Sequence, residues 1–185
     1  MYNRPLGKGR PDFCHIYAGH TGNGGQFSMG NGPAMNIPYL YNYAGQPWRT
    51  QKRVRNLLDQ WFRNDLMGVP GDEDGGGLTA FAVFSHLGFY PMVPGMPMYV
   101  IGSPVFERAA LQLPNGKLFE VICHNYAPDH KFSQSAKLNG KVWNKSWFSN
   151  NELIKGGKLE LVMGKKPNKE WASSDDAVPP SFRMK

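Results

Sequence analysis

The spacing of apolar residues changes near residue 95. Before it they recur with a helical period; after it they come in short runs broken by turns, so the chain builds helices first and sheet afterwards. Val54, Leu57, Leu58, Trp61 and Phe62 fall at i, i+3, i+4, i+7 and i+8, one face of a helix. With Pro47 suited to its first turn, this predicts a helix over 48–65. A second helix is predicted over 78–87, apolar on most sides, with Gly88 as its C-terminal cap. Beyond Pro91 the runs MYVIG, RAALQL, KLFEVICH, FSQSAKL, KVWN and KLELVMG alternate with turn signals. The Asn139-Gly140 pair between AKL and KVW is the sharpest hairpin signal. The fold class is therefore α+β, with an antiparallel, sandwich-like C-terminal part. The expected division is 1–95 helical, 96–171 β, and 172–185 a disordered tail, because the tail shows neither period. Helices apolar nearly all round need a larger body to cover them. Trp61, Phe62, Phe81 and Phe84 are the side chains expected to be left exposed without it.

Composition closes off several classes. Hydrophobic residues make up 41% of the chain and aromatics 13%, which excludes global disorder. The 22 glycines and 15 prolines are dispersed among apolar runs, so they mark turns in an ordered protein. No apolar run approaches the roughly 18 residues of a membrane span, and the first residues carry no apolar core of a signal peptide. No membrane is therefore expected as a partner. Net charge is +7, but the lysines of the second half sit beside Gly, Asn or Pro at turns and strand ends. Nucleic acid would want arginine clustered on a helix or basic residues interleaved with exposed aromatics; the one compact basic cluster, Arg49, Lys52, Arg53 and Arg55, belongs to the amphipathic helix, and nucleic acid is not expected as a partner. Cys14 and Cys123 are too few for a disulfide scaffold; spacing allows either a pair or two free thiols.

Chemistry concentrates in the loop GVPGDEDGGG, 68–77. Three acids enclosed by glycines lead straight into a buried helix. In extended backbone Asp72 and Asp74 point to one side, about 6.6 Å apart at a rise of about 3.3 Å per residue. Glu73 points to the other. Two such carboxylates can bind a hard cation, activate a water, or cap the following helix. The residues alone leave these three open. An EF-hand is excluded, because the twelfth position from Asp72 is Val83 where a Glu is required. A second polar stretch, FSMGNGPAMNIPYLYNYAGQPWRTQ at 27–51, combines amides with Tyr39, Tyr41, Tyr43 and Trp48. It suits either cation and sugar contacts or a self-satisfied aromatic loop. The five histidines show no metal spacing, and neither a serine-hydrolase elbow nor a phosphate-binding loop occurs.

IPYLYNYAGQPWRTQKRVR, GVPGDEDGGGLTAFAVFSHLGFYPMVPG, YVIGSPVFE, LPNGKLFEV, LNGK and GGKLELVMGKKPNKEW occur in this order. The series, from about Gly25 to Trp171, resembles the C-terminal region of glycoside hydrolase family 92, the calcium-dependent exo-acting α-mannosidases. The resemblance implies the last helices of an (α/α)6 barrel followed by β-structure, with the preceding region of the same enzyme as the missing partner. It implies an α-mannoside glycan as substrate, hydrolysis with inversion, and a parent enzyme outside the cytoplasm, periplasmic or secreted. The general base would be Asp72 or Asp74. Calcium would sit against the sugar's O2 and O3. Asn31 and Gly32 of the sequence GNGP would fall in the substrate pocket, and Asn36 near the metal. Two departures stand out. Gly32 occupies the position of a family carboxylate, and no residue of this chain matches the family's general-acid glutamate. The isolated chain is therefore expected to be inactive, and a non-catalytic carbohydrate-binding or inactive remnant is the alternative.

Overall fold

The computed structural model describes residues 27–66, 68–71, 73 and 75–181. Their elements are a 3-10 turn at Gly32–Ala34 and another at Ile37–Tyr39, then helices α1 (Leu40–Tyr43), α2 (Pro47–Trp61) and α3 (Gly77–Leu87). Strands β1 (Phe89–Tyr90), β2 (Met98–Ile101), β3 (Arg108–Gln112), β4 (Leu118–His124), β5 (Phe132–Leu138), β6 (Lys141–Val142) and β7 (Trp147–Ser149) follow. Helix α4 (Asn150–Ile154) and strand β8 (Gly157–Gly164) complete the order. The fold is α+β, as the change of period predicts. The described residues separate into two compact units, one taking those of 27–37 and 56–83, the other 38–55 with 84–181.

In the first unit, Leu57 and Leu58 of α2 and Leu78 and Phe81 of α3 are buried, as are Phe27 and Met29. The rings of Phe62 and Phe81 lie 5.8 Å apart. This corrects one expectation: Phe81 has no exposure at all, and Trp61 and Phe62 are only half-exposed. The apolar side chains that face outward here are Leu66, Val69 and Val83.

In the second unit, a three-stranded antiparallel sheet, β1-β2-β7, packs on a five-stranded sheet ordered β3-β4-β8-β5-β6. Phe89 and Phe148 of the smaller sheet meet Phe119 of the larger at centroid distances of 6.4 and 5.7 Å, so two inner faces share one aromatic core. Along β4 and β8 alternate residues, Phe119, Val121 and Cys123, then Leu159, Leu161 and Met163, point into it. Burial pushes the Cys123 thiol up to about 12, against the opposing pull of Arg55. Asn139 and Gly140 both adopt positive φ, 51° and 78°, the two-residue turn the Asn-Gly pair calls for.

One strand pair departs from the antiparallel expectation. β8 lies between β4 and β5 and runs parallel to β4. A parallel neighbour needs a crossover. Here it runs through β5, β6, β7 and α4, the last opened by a capping box in which Ser149 accepts from the Glu152 amide and Glu152 accepts from the Ser149 amide. Polar side chains from the segment before β1 hold the strands' ends. Asn42 donates to the carbonyls of Ile101 and Ser146 at 2.9 and 3.1 Å, and Arg55 to those of Pro104 and Pro128 at 2.8 and 2.9 Å.

The tail also differs from expectation. Trp171, Ala172 and Ala177 are buried in the second unit's core, and the Ser146 amide donates to the Ala177 carbonyl at 3.0 Å. Residues 172–181 have neither helical nor strand period because they form turns, yet their small apolar side chains fill the core edge. Of the expected tail, 182–185 lie outside the described residues.

Candidate functional site

The glycine-rich acidic loop delivers the chain into α3, and its geometry is set by Glu73. The Glu73 carbonyl accepts the Gly77 amide at 3.1 Å, closing the loop into a single turn. Gly75 and Gly76, at φ 72° and 96°, supply a backbone that residues with a β-carbon rarely adopt. The Glu73 carboxylate then reaches forward to the third residue of the helix. It accepts the Thr79 amide at 3.1 and 3.3 Å and the Thr79 hydroxyl at 2.5 Å. The Gly76 carbonyl lies farther from that hydroxyl, at 3.3 Å. An otherwise unpaired amide of the helix's first turn thus receives a negatively charged acceptor, favoured also by the helix dipole.

This bears on the three uses left open for the loop. The cap at α3 is supplied by Glu73, the acid between the two aspartates. Asp72 and Asp74 themselves lie outside the described residues. Sequence reasoning did not find the Glu73–Thr79 contact. Its signal is a Glu four residues before the helix start and a Thr in the helix's first turn, and the alternation argument, which turns Glu73 away from its neighbours, points the same way.

Asn31 and Gly32 open the 3-10 turn Gly32–Ala34. The Asn31 carbonyl accepts the Ala34 amide at 2.9 Å, but its side chain makes no cap bond, and it is exposed. Gly32 and Asn36 are half-buried. Met35, between them in sequence, reaches the start of α3: a β-carbon built on Gly77 would lie 3.1 Å from its Cε. The fold therefore brings the segment bearing Asn31, Gly32 and Asn36 against the helix that the acidic loop opens.

The donor set is compatible in type with calcium. Asn31 and Asn36 offer neutral amide oxygens, the Asn31 amide is uncommitted to the turn it precedes, and hard cations take oxygen ligands. Of the three acids in the loop, Glu73 is committed to Thr79, which leaves Asp72 and Asp74 as its other carboxylates. Among the described residues no group of three or more His, Cys, Asp or Glu is gathered as a metal centre. No helix among them is long and apolar enough to cross a membrane. Cys123 is a free, buried thiol; Cys14 lies outside the described residues.

The family model for the glycosyl hydrolase family 92 catalytic domain matches residues 8–165. The chain belongs to glycosyl hydrolase family 92. Among solved structures it is similar to a family GH92 α-mannosidase from Bacteroides thetaiotaomicron in complex with mannoimidazole. The two are 36% identical with a TM-score of 0.85, over 92% of this chain and 22% of that one. A family GH92 inverting mannosidase of the same organism is 41% identical with a TM-score of 0.77, over 82% of this chain and 21% of that one. An uncharacterized secreted glycosidase of Arthroderma benhamiae is 35% identical over 157 residues, 83% of this chain and 20% of its own length. The chain thus spans about a fifth of the length of these relatives.

Proposed function

We propose that this chain forms the C-terminal part of the catalytic machinery of an exo-acting α-mannosidase that hydrolyses α-mannosidic bonds in glycans with inversion and depends on calcium. The observation that carries the reading is the commitment of Glu73 to the helix N-terminus. With that cap supplied, Asp72 and Asp74 are not needed for it, and their roles in the chemistry are the ones left. The names of the solved relatives, α-mannosidase and inverting mannosidase, support the substrate class and the stereochemistry. The name of the fungal relative supports a location outside the cytoplasm for the parent, secreted or, in a Gram-negative host, periplasmic.

In this reading one of Asp72 and Asp74 takes the proton of the attacking water and the other orients that water. Asn31, with the Gly32 backbone, contacts the sugar, and Asn36 contributes an amide oxygen to the cation site. A calcium ion, if held there by Asn36, would supply positive charge that favours the ionised form of the base. Glycine at position 32 removes a carboxylate from the pocket and weakens substrate binding at the catalytic subsite. The general acid lies upstream of this chain. Glu73 does not stand in for it, because its carboxylate is held as an acceptor by Thr79.

The test is steady-state kinetics on an α-mannobiose, using the enzyme that carries this chain at its relatives' full length. Asp72→Asn and Asp74→Asn should each lower kcat by about 10²–10⁴-fold, the usual worth of general acid–base catalysis. Near-normal kcat in both variants would remove the assignment.

A further inference from the structure

We propose that Glu73 and Thr79 form a clasp that positions the acidic loop for turnover, making Glu73 a positioning residue; this rests on the α-mannosidase reading above. Three contacts converge on the residue that separates the two aspartates. The Glu73 carbonyl takes the Gly77 amide, and its carboxylate takes both the amide and the hydroxyl of Thr79. Cap and closure are one device: the side chain is tied to the helix's third residue while the main chain is tied to its first. The loop is therefore anchored at its middle residue. The glycines on its C-terminal side would give an unanchored loop wide conformational freedom, since glycine restricts φ and ψ least.

An ordinary N-cap is a serine, threonine, aspartate or asparagine directly before the helix, reaching two or three residues forward. Glu73 lies four residues before Gly77 and reaches Thr79 across a turn of glycines. A cap of this length also spans Gly75 and Gly76, which a cap at the residue directly before the helix would not. The clasp thus ties down Glu73, the residue between the two aspartates, and the loop's exit into α3 at Gly77. A general base must be held to within about an ångström of its water, and a misplacement of that size costs on the order of 10²-fold in rate.

Amide chemistry separates positioning from proton transfer. Glutamine keeps an oxygen that can accept from both Thr79 donors but has no proton to exchange and no charge; alanine has neither. Serine at 79 keeps the hydroxyl, and valine keeps only the shape. The test measures kcat, KM and thermal midpoint for E73A, E73Q, T79V and T79S in the same full-length enzyme, together with amide hydrogen exchange at Gly77 and Thr79 in this chain. E73A is expected to lower kcat about 10–100-fold. T79V, which keeps the amide contact, is expected to lose less. KM should stay within about threefold, and protection at Thr79 should fall in E73A. E73Q and T79S should recover most of kcat and of the protection. If E73A fails to fold, T79V and E73Q carry the test. Normal kcat in both E73A and T79V would overturn the clasp. E73Q as slow as E73A would overturn it too, since Glu73 would then be acting through its charge or its proton. Loss of the α-mannosidase reading shows separately, as no release of mannose from the α-mannobiose by the unsubstituted full-length enzyme, and loss of the base assignment as D72N and D74N with undiminished kcat.

Discussion

Replacing Gly88 by alanine should destabilise the second unit by more than its backbone conformation alone accounts for. Gly88 ends α3 at φ +93°, with its amide donating to the Phe84 and Ser85 carbonyls at 3.1 and 3.2 Å and its carbonyl accepting from Gly102 at 2.8 Å. Holding a residue with a β-carbon in the left-handed region costs about 1–2 kcal/mol. Space adds a second cost. The new β-carbon would meet Cγ, Cδ and the backbone nitrogen of Pro104 at 2.3, 2.6 and 2.9 Å, where ordinary contact begins at 3.4 Å. The proline must retreat by about an ångström, but its carbonyl is tied to Arg55 Nη1 at 2.8 Å. Overpacking of this kind costs about 1–3 kcal/mol, so the total is about 2–5 kcal/mol, a large share of the roughly 5–15 kcal/mol that keeps a domain folded. Gly140→Ala is the control: φ is +78° there too, but nothing lies within 4 Å of the added carbon. Urea unfolding of G88A, G140A and the double variant G88A/P104A separates the two costs. P104A, lacking Cγ and Cδ, should return part of the loss. A G88A midpoint no lower than that of G140A would refute the steric argument.

The isolated chain should release no mannose from an α-mannobiose in the presence of calcium; measurable calcium-dependent release would show that the general acid is not required from upstream. Cys123, in a Cys14→Ser background, should react with iodoacetamide far more slowly in the native chain than in urea at pH 8, because burial keeps the thiol protonated. The same burial gives a pH dependence of defined sign. The folded-state value, about 12, lies above the ordinary 9.0, so the stability linked to Cys123 is fully present below about pH 9 and is lost as pH rises from there toward 12. Urea midpoints that fall by the same amount over that range in Cys123→Ala as in its parent would rule Cys123 out as the cause.

Local chemistry carried much of this protein's reading. The spacing of Val54, Leu57, Leu58 and Trp61 specified α2, and the Asn139-Gly140 pair specified the β5–β6 turn, since each depends on neighbours within a few residues. The order of motifs from IPYLYNYAGQPWRTQ to GGKLELVMG was enough to reach family 92. Contacts across long separations were decided only in the fold. Turn signals say which runs adjoin in sequence, so they could not place β8 between β4 and β5 or make it parallel to β4. The tail from Ala172 carries no period, and only packing shows that Ala172 and Ala177 close a core. Phe81 looked exposed because helix spacing tells which residues share a face, and not what lies opposite it. Within the acidic loop alternation turned Glu73 away from Asp72 and Asp74 but gave it no partner. Tertiary structure supplied the partner, by setting the carboxylate of Glu73 on the amide and hydroxyl of Thr79, six residues on and across a turn that only its glycines allow.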